Sequence, residues 1–516
     1  MATTPSTVNR WFILGTVMVG SFLSSLDMTA TNIAIPSIMT SFGANVQQVQ
    51  WVRTSTMLTG AAAMPATGWL ARRIGYGPLF MAALLLFILG SALSASSWNL
   101  QSLIFGRVVQ AIGAGSIQPT SMAILTRTFP TGERGRAIGI WGFGHMMGPM
   151  LGPTTGGLMI EWFGWRSIYL INVPLGSLMV LVTSVTLPRD RDARDLPFDF
   201  RGYLAFATFI IVFLLTVDQG NKLGWGHTYI QLGVALAIAS LLFFIALEWD
   251  SPHPVMPFRL FQYRDFVLAL FLNLFRALGL WGASFLVPLF LQQVTGRTPM
   301  QTGLLMLPAA ITVAVVMPFS GSLTDRFGGR VPATLGFVLS SWAMYQFTAI
   351  DFLTPTWVIV MAQVTRGLAQ GFIVTPSTTT GMNAIPREDA GYGSWMLQLS
   401  QRYGGAFAIA MLSMFLHSRT TVHMDRLGDS RLMEAGPDPT LVAQATHLGY
   451  SRMDADSAAL AMARRQVRSA ASTFAYQNIF YGLSLIALLG IIPAMMIARK
   501  RPRTFGAAAV RSPARA

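Results

Sequence analysis

One carboxylate, Asp27, sits in the middle of an apolar run from Trp11 to about Met39. The run is long enough to cross a bilayer. An ionised aspartate at that depth costs on the order of 3 kcal/mol on insertion scales, so it must face a wet cavity or a partner. Two chemistries answer that need: a proton relay or substrate contact, or a helix–helix hydrogen bond from protonated Asp27 to Ser24, Thr31 or Asn32. Four arginines also fall within apolar runs: Arg107, Arg276, Arg366 and Arg402. Each needs a carboxylate, backbone carbonyls or water. Arg402 precedes Gly404 and Gly405, a close-packing point that suits a helix anchor. Arg53, at the outer end of its run, can snorkel to the interface. His145 titrates in the range a relay needs, although a lone histidine in a Gly/Pro-rich span is more often a hydrogen-bonded packing residue.

The elements that hold these groups are spanning helices. Only 11% of the 516 residues are charged and 53% are hydrophobic, whereas a soluble domain carries about a quarter charged residues. Fourteen apolar runs of roughly twenty residues are read, from 11–36 to 474–497. The net charge of +15 forms no stripe of the kind a nucleic-acid face needs. Its arginines cluster instead on alternate connections, including Arg72 and Arg73, Arg134 and Arg136, and Arg326 and Arg330, while the short connections on the other side hold only Arg166, Lys222 and Arg297. The basic side is cytoplasmic by the positive-inside rule, and an even count of spans puts both termini there. One outer connection, 418–473, is long and polar. It contains Pro437 and Pro439, and 454–470 reads as an exposed helix that serves as a solvated cap or a partner-docking surface.

An internal echo divides the chain. GWLARRIGYG (68–77) and GSLTDRFGGR (321–330) both leave a helix through G-x-L into a charged turn with glycine. Two copies about 250 residues apart point to two similar bundles, the parallel-repeat plan. The expected domains are 1–187, a linker 188–265 with two inserted spans, 266–497, and a basic tail 498–516. The fifth run carries Gly139, Gly148, Gly152, Pro153, Gly156 and Gly157. Glycines four apart share a helix face and admit a close neighbour, while Pro149 and Pro153 favour a bend. The result suits a seam between two moving bundles.

At these residues the chain resembles the major facilitator superfamily. G-x8-G-x3-G-P-x2-G-G matches that family's antiporter motif, and LDMTATNIAIP (26–36) resembles the first-span motif of its drug:proton antiporters. LIFGRVVQAIGAG (103–115) and WRSIYLINVPLG (165–176) are similar to the fourth- and sixth-span signatures of fourteen-span, EmrB/QacA-type exporters. The resemblance implies an all-α integral membrane fold of two six-helix bundles plus two helices. It also implies proton-driven multidrug efflux, and with it antibiotic resistance, from the inner membrane without any cofactor. By the family pattern Arg107 faces the cavity near the first span, where it competes with a proton for Asp27. Gating falls to the turns, at Gly68, Arg72, Arg73, Gly75, Asp325, Arg326, Gly328 and Arg330. The first turn departs from the family: Arg72 stands at the Asp position, so that latch is made differently or is absent. Met28, Asn32, Gln118, Met146 and Trp281 are placed in the cavity by position only. A periplasmic adaptor and an outer-membrane channel are possible partners.

The alternatives are a dedicated exporter of one endogenous metabolite (a fatty acid, siderophore or amino-acid derivative), an importer, or a non-transporting receptor that does not need Asp27. No P-loop supplies an ATP drive, and no paired carboxylates, metal-spaced histidines or nucleophile elbow suggest an enzyme. The chain has no cysteine for thiol chemistry.

Overall fold

A computed structural model describes residues 9–187, 197–351, 354–427, 439–447 and 452–498. The expected basic tail, Arg189, Arg191 and Arg194 of the linker, and Pro437 lie outside the described residues.

The apolar runs become helices because helices satisfy every backbone group internally, as lipid requires. The first bundle holds α1 (Arg10–Phe42), α2 (Val46–Ile74), α3 (Tyr76–Ala95), α4 (Leu100–Thr128), α5 (Arg134–Phe163), a short α6 (Ser167–Leu170) and α7 (Asn172–Thr186). Two inserted helices follow, α8 (Phe200–Leu223) and α9 (Thr228–Trp249). The second bundle holds α10 (Arg264–Gln293), α11 (Pro299–Phe327), α12 (Arg330–Thr348), α13 (Thr356–Ala384), α14 (Ala390–Leu427), α15 (Pro439–His447) and α16 (Arg452–Met496). Capping boxes start three of them: Asn45 with Gln48, Asn99 with Ser102, and Thr298 with Gln301. These pairs satisfy amide donors that a helix start leaves open.

Ten helical stretches among the described residues are long and apolar enough to cross a membrane. Four further helices, α2, α5, α12 and α14, have 29, 30, 19 and 38 residues and pack among them. The packing order repeats between the bundles. In the first, α4 carries α2 and α3, α5 lies on α1, and α7 lies on α3; in the second, α13 carries α11 and α12, α14 lies on α10, and α16 lies on α12. Two crossed pairs, α5 with α11 and α2 with α14, join the bundles.

The inserted helices pair with each other and flank the α2–α14 junction. There the Tyr203 hydroxyl donates to the Ala62 carbonyl at 3.1 Å, and Phe206 lies 5.8 Å from the Trp395 ring.

The sixth span runs from Ser167 to Thr186 as one apolar stretch, and Ile171, where α6 meets α7, keeps a helical backbone. Residues 454–470 are helical, and the same helix, α16, continues for 45 residues from Arg452 into the last span. Its polar start hides that continuity from a reading by hydropathy.

Candidate functional site

Asp27 lies on the face of α1 turned toward α4 and α7, where it is 4% exposed. Arg107, on α4, is 2% exposed and donates through Nη1 to Asp27 Oδ2 at 2.7 Å. The other carboxylate oxygen accepts two amide N–H groups, from Gln110 Nε2 at 2.9 Å and Asn172 Nδ2 at 2.8 Å. Asn172 begins α7, directly after Ile171. Ser91 of α3 takes a second hydrogen bond from Gln110 at 2.6 Å. Arg107 is itself held: its Nε donates to Thr56 Oγ1 at 3.2 Å, its Nη1 also reaches Gln110 Oε1, and its guanidinium lies 5.3 Å from the Tyr169 ring centre. A buried ion pair repays its desolvation only when the remaining hydrogen-bond positions are filled, and here groups from α2, α4 and α7 fill them.

This geometry corrects two expectations. Ser24, Thr31 and Asn32 are not hydrogen-bond partners of Asp27. Nor does Asp27 open onto the space between the bundles, because it is buried and its hydrogen-bond partners among the described residues all belong to the first bundle. The neutral members, Gln110, Asn172, Ser91 and Thr56, were missed in the sequence. Gln110 carried a signal, since a residue three positions after Arg107 shares its helix face.

The glycine motif also divides differently from the expected seam. Cβ atoms added at Gly148 and Gly152 would strike Ser25 and Thr29 of α1, and one at Gly156 would lie 3.1 Å from Ala30. This stretch is therefore welded inside the first bundle, while Gly157 meets nothing within 4 Å and Pro153 is exposed. Pro149 cannot donate to the His145 carbonyl four residues earlier. The Ser25 hydroxyl does so instead, at 2.8 Å. Only the start of the motif reaches the other bundle: Gly139 abuts the Met317 carbonyl and Pro318, and Gly135 abuts Gly321.

At that same end the bundles are hydrogen-bonded together. Asp325 of α11 accepts the amides of Gly135 and Arg136, both at 2.8 Å, so a carboxylate caps the start of α5. That placement is favoured by the helix dipole. Arg134 donates to Asn383 Oδ1 at 2.9 Å. In the first repeat Arg72 cannot act as such a cap, and its guanidinium sits 5.7 Å from the Tyr392 ring centre. The Tyr76 hydroxyl takes over, accepting the Gly391 amide at 3.1 Å beside the start of α14. Gly75 and Gly328, at φ 93° and 81°, turn the chain at equivalent points, a region that disfavours any Cβ. Gly68 lies against Tyr392, Arg73 stacks on Trp69, Arg326 is exposed, and Arg330 begins α12. A cleft of about 380 Å³ opens alongside, lined among others by Trp69, Arg72, Trp249, Arg259 and Tyr392.

The remaining candidates scatter. Arg276 donates to Asn273 Oδ1 at 2.8 Å and Arg366 to Gln363 Oε1 at 2.8 Å, each on its own helix. Arg53 is exposed. His145 stacks on Trp141 with ring centres 5.6 Å apart and does not touch Asp27. Its buried Nδ1 has no hydrogen-bond partner. Met28 and Asn32 are exposed, Gln118 and Met146 are partly exposed, and Trp281 packs on Gly405 of α14.

Two helical bundles joined by crossed helix pairs, with an ion pair sealed inside one of them, define a multi-pass membrane transporter. The model of the Major Facilitator Superfamily matches residues 17–409, and the chain belongs to that family. Its relatives include the "Multidrug resistance protein B homolog" of Mycobacterium tuberculosis (strain ATCC 25618 / H37Rv), 31% identical over 78% of this chain and 75% of the relative. They also include the "Riboflavin transporter RibZ" of Clostridioides difficile (strain 630), 31% identical over 80% and 89%. Among solved structures, the human organic anion transporter MFSD10 shares the fold, with TM-score 0.62 at 14% identity over 95% of this chain and all of the other.

Proposed function

We propose that the protein is a proton-coupled exporter of hydrophobic or amphipathic compounds that works by alternating access, with Asp27 as its proton site. The observation that carries this reading is the ion pair itself. A carboxylate at bilayer depth has been given three donors from two other helices, Arg107 among them. A proton arriving at Asp27 would neutralise it, release the Arg107 guanidinium and free α4 and α7 to shift against α1. The proton route then runs through the first bundle rather than from the space between the bundles.

With the arginine-rich turns on the cytoplasmic side of an inner membrane, the Asp325 and Tyr76 contacts would close the cytoplasmic end. Relatives named for multidrug resistance support a broad substrate range. The one named for riboflavin supports a second reading, a dedicated carrier of one metabolite.

The test is proton release into the medium from proteoliposomes on addition of each member of a panel of anionic, neutral and cationic amphipathic dyes. Wild-type protein should release protons with at least one dye, and Asp27→Asn with none. Equal release by the two proteins would remove the proposed proton site.

A further inference from the structure

The distribution of charge at bilayer depth is lopsided. Away from helix ends, the described spans of the two bundles hold one carboxylate, Asp27, against Arg107, Arg276, Arg366 and Arg402. Arg107 neutralises Asp27. Arg276 and Arg366 are occupied by amide oxygens on their own helices. Arg402 differs from all three, because no hydrogen bond or ion pair to a described residue engages its guanidinium. It is only partly buried rather than sealed in protein.

Its position makes that vacancy informative. Arg402 lies on α14 of the second bundle, and its Nη1 stands 3.7 Å from where a Cβ on Gly60 of α2 would be. It is also within electrostatic reach of His145 on α5. Helices α2 and α5 belong to the first bundle and pack against α14 and α11 respectively. The guanidinium therefore lies where the two bundles meet, in the same region as His145, whose Nδ1 is itself buried without a partner. An uncompensated arginine at this depth is costly, and a planar fork of donors is best answered by a carboxylate, sulfonate or phosphate group.

We propose that the transported compound is an amphipathic acid whose anionic group is bound by Arg402, with His145 as a second contact from the opposite bundle. An anion placed there relieves the charge that no protein group offsets, and it bridges α14 to α5. On α5 the partly exposed Met146, next to His145, offers apolar surface for the rest of the molecule. This inference rests on the transporter reading and names the substrate class for it.

The test uses three probes that share one ring system: 2-naphthalenesulfonate, 2-naphthalenesulfonamide and 2-naphthylmethylammonium. Their binding to the purified full chain is measured by calorimetry. Wild type should bind the sulfonate about tenfold more tightly than the neutral sulfonamide, the scale of one charge-assisted contact, and the ammonium most weakly. Arg402→Gln should erase the preference, Arg402→Lys should keep part of it, and Arg276→Gln should leave it intact. Preference for the ammonium, equal binding of the three by wild type, or a sulfonate preference that survives in Arg402→Gln would each overturn the proposal. The wild-type comparison decides even if a variant fails to fold. Binding needs no gradient, so failure of proton coupling with a retained anion preference would count against the exporter reading alone.

Discussion

At the scale of residues, Asp27 and Arg107 are held as a pair rather than as two independent charges. Removing one partner leaves the other buried without compensation, at a cost of about 3–5 kcal/mol. Arg107→Gln should therefore lower the thermal unfolding temperature of the purified protein markedly. The double variant Asp27→Asn/Arg107→Gln should recover a large part of that loss, because neither charge remains. A double variant no more stable than Arg107→Gln would show that the two groups are not coupled. Both were legible in the sequence, because a charge inside an apolar run stands out against its neighbours. Gln110, Asn172 and Ser91 were not, since neutral polar residues are common in spans and their meeting depends on the mutual register of α3, α4 and α7. Arg402 was legible as a buried charge, but only the folded arrangement shows that it has no partner.

At the scale of elements, one glycine-rich helix does two jobs, and substitutions along it should separate them. Gly148→Val would drive side-chain atoms into Ser25 and the Leu26 backbone of α1 within the first bundle, so it should reduce yield and thermal stability. Gly139→Val meets the Met317 carbonyl of α11 across the bundles, so it should leave each bundle folded and oppose closure at the turn end. The chain has no native cysteine, so single cysteines introduced at that end report closure directly through their rate of alkylation. Gly139→Val should raise that rate, and an unchanged rate would remove α5–α11 from the gate. Tyr76→Phe deletes one hydrogen bond to α14, worth about 1 kcal/mol, and should raise the same rate roughly fivefold. The departure at Arg72 announced in the sequence that this latch differs. The substitute hydroxyl four residues on became visible only once α14 was placed beside it. Helices stand at the expected apolar runs, whose length is set by the bilayer, although α14 and α16 extend well beyond 394–417 and 474–497. The unbroken α16 was not legible, because its polar start interrupts the hydropathy pattern while the helix continues.

At the scale of the whole molecule, the contacts divide into those inside a bundle and those between bundles. Asp27 belongs to the first kind, and the Asp325 and Tyr76 latches to the second. Helix α8, backed by α9, lies against the α2–α14 junction through Tyr203 and Phe206, where it braces one of the two crossed pairs. The central claim is that protonation inside one bundle drives movement between the two. The most direct measurement compares two kinds of transport in the same proteoliposomes: accumulation of a substrate driven by an imposed pH gradient, and substrate-for-substrate counterflow without one. Asp27→Asn should abolish the first and retain the second, because the bundles can still exchange while the proton has nowhere to bind. Gradient-driven accumulation that persists in Asp27→Asn would contradict the account.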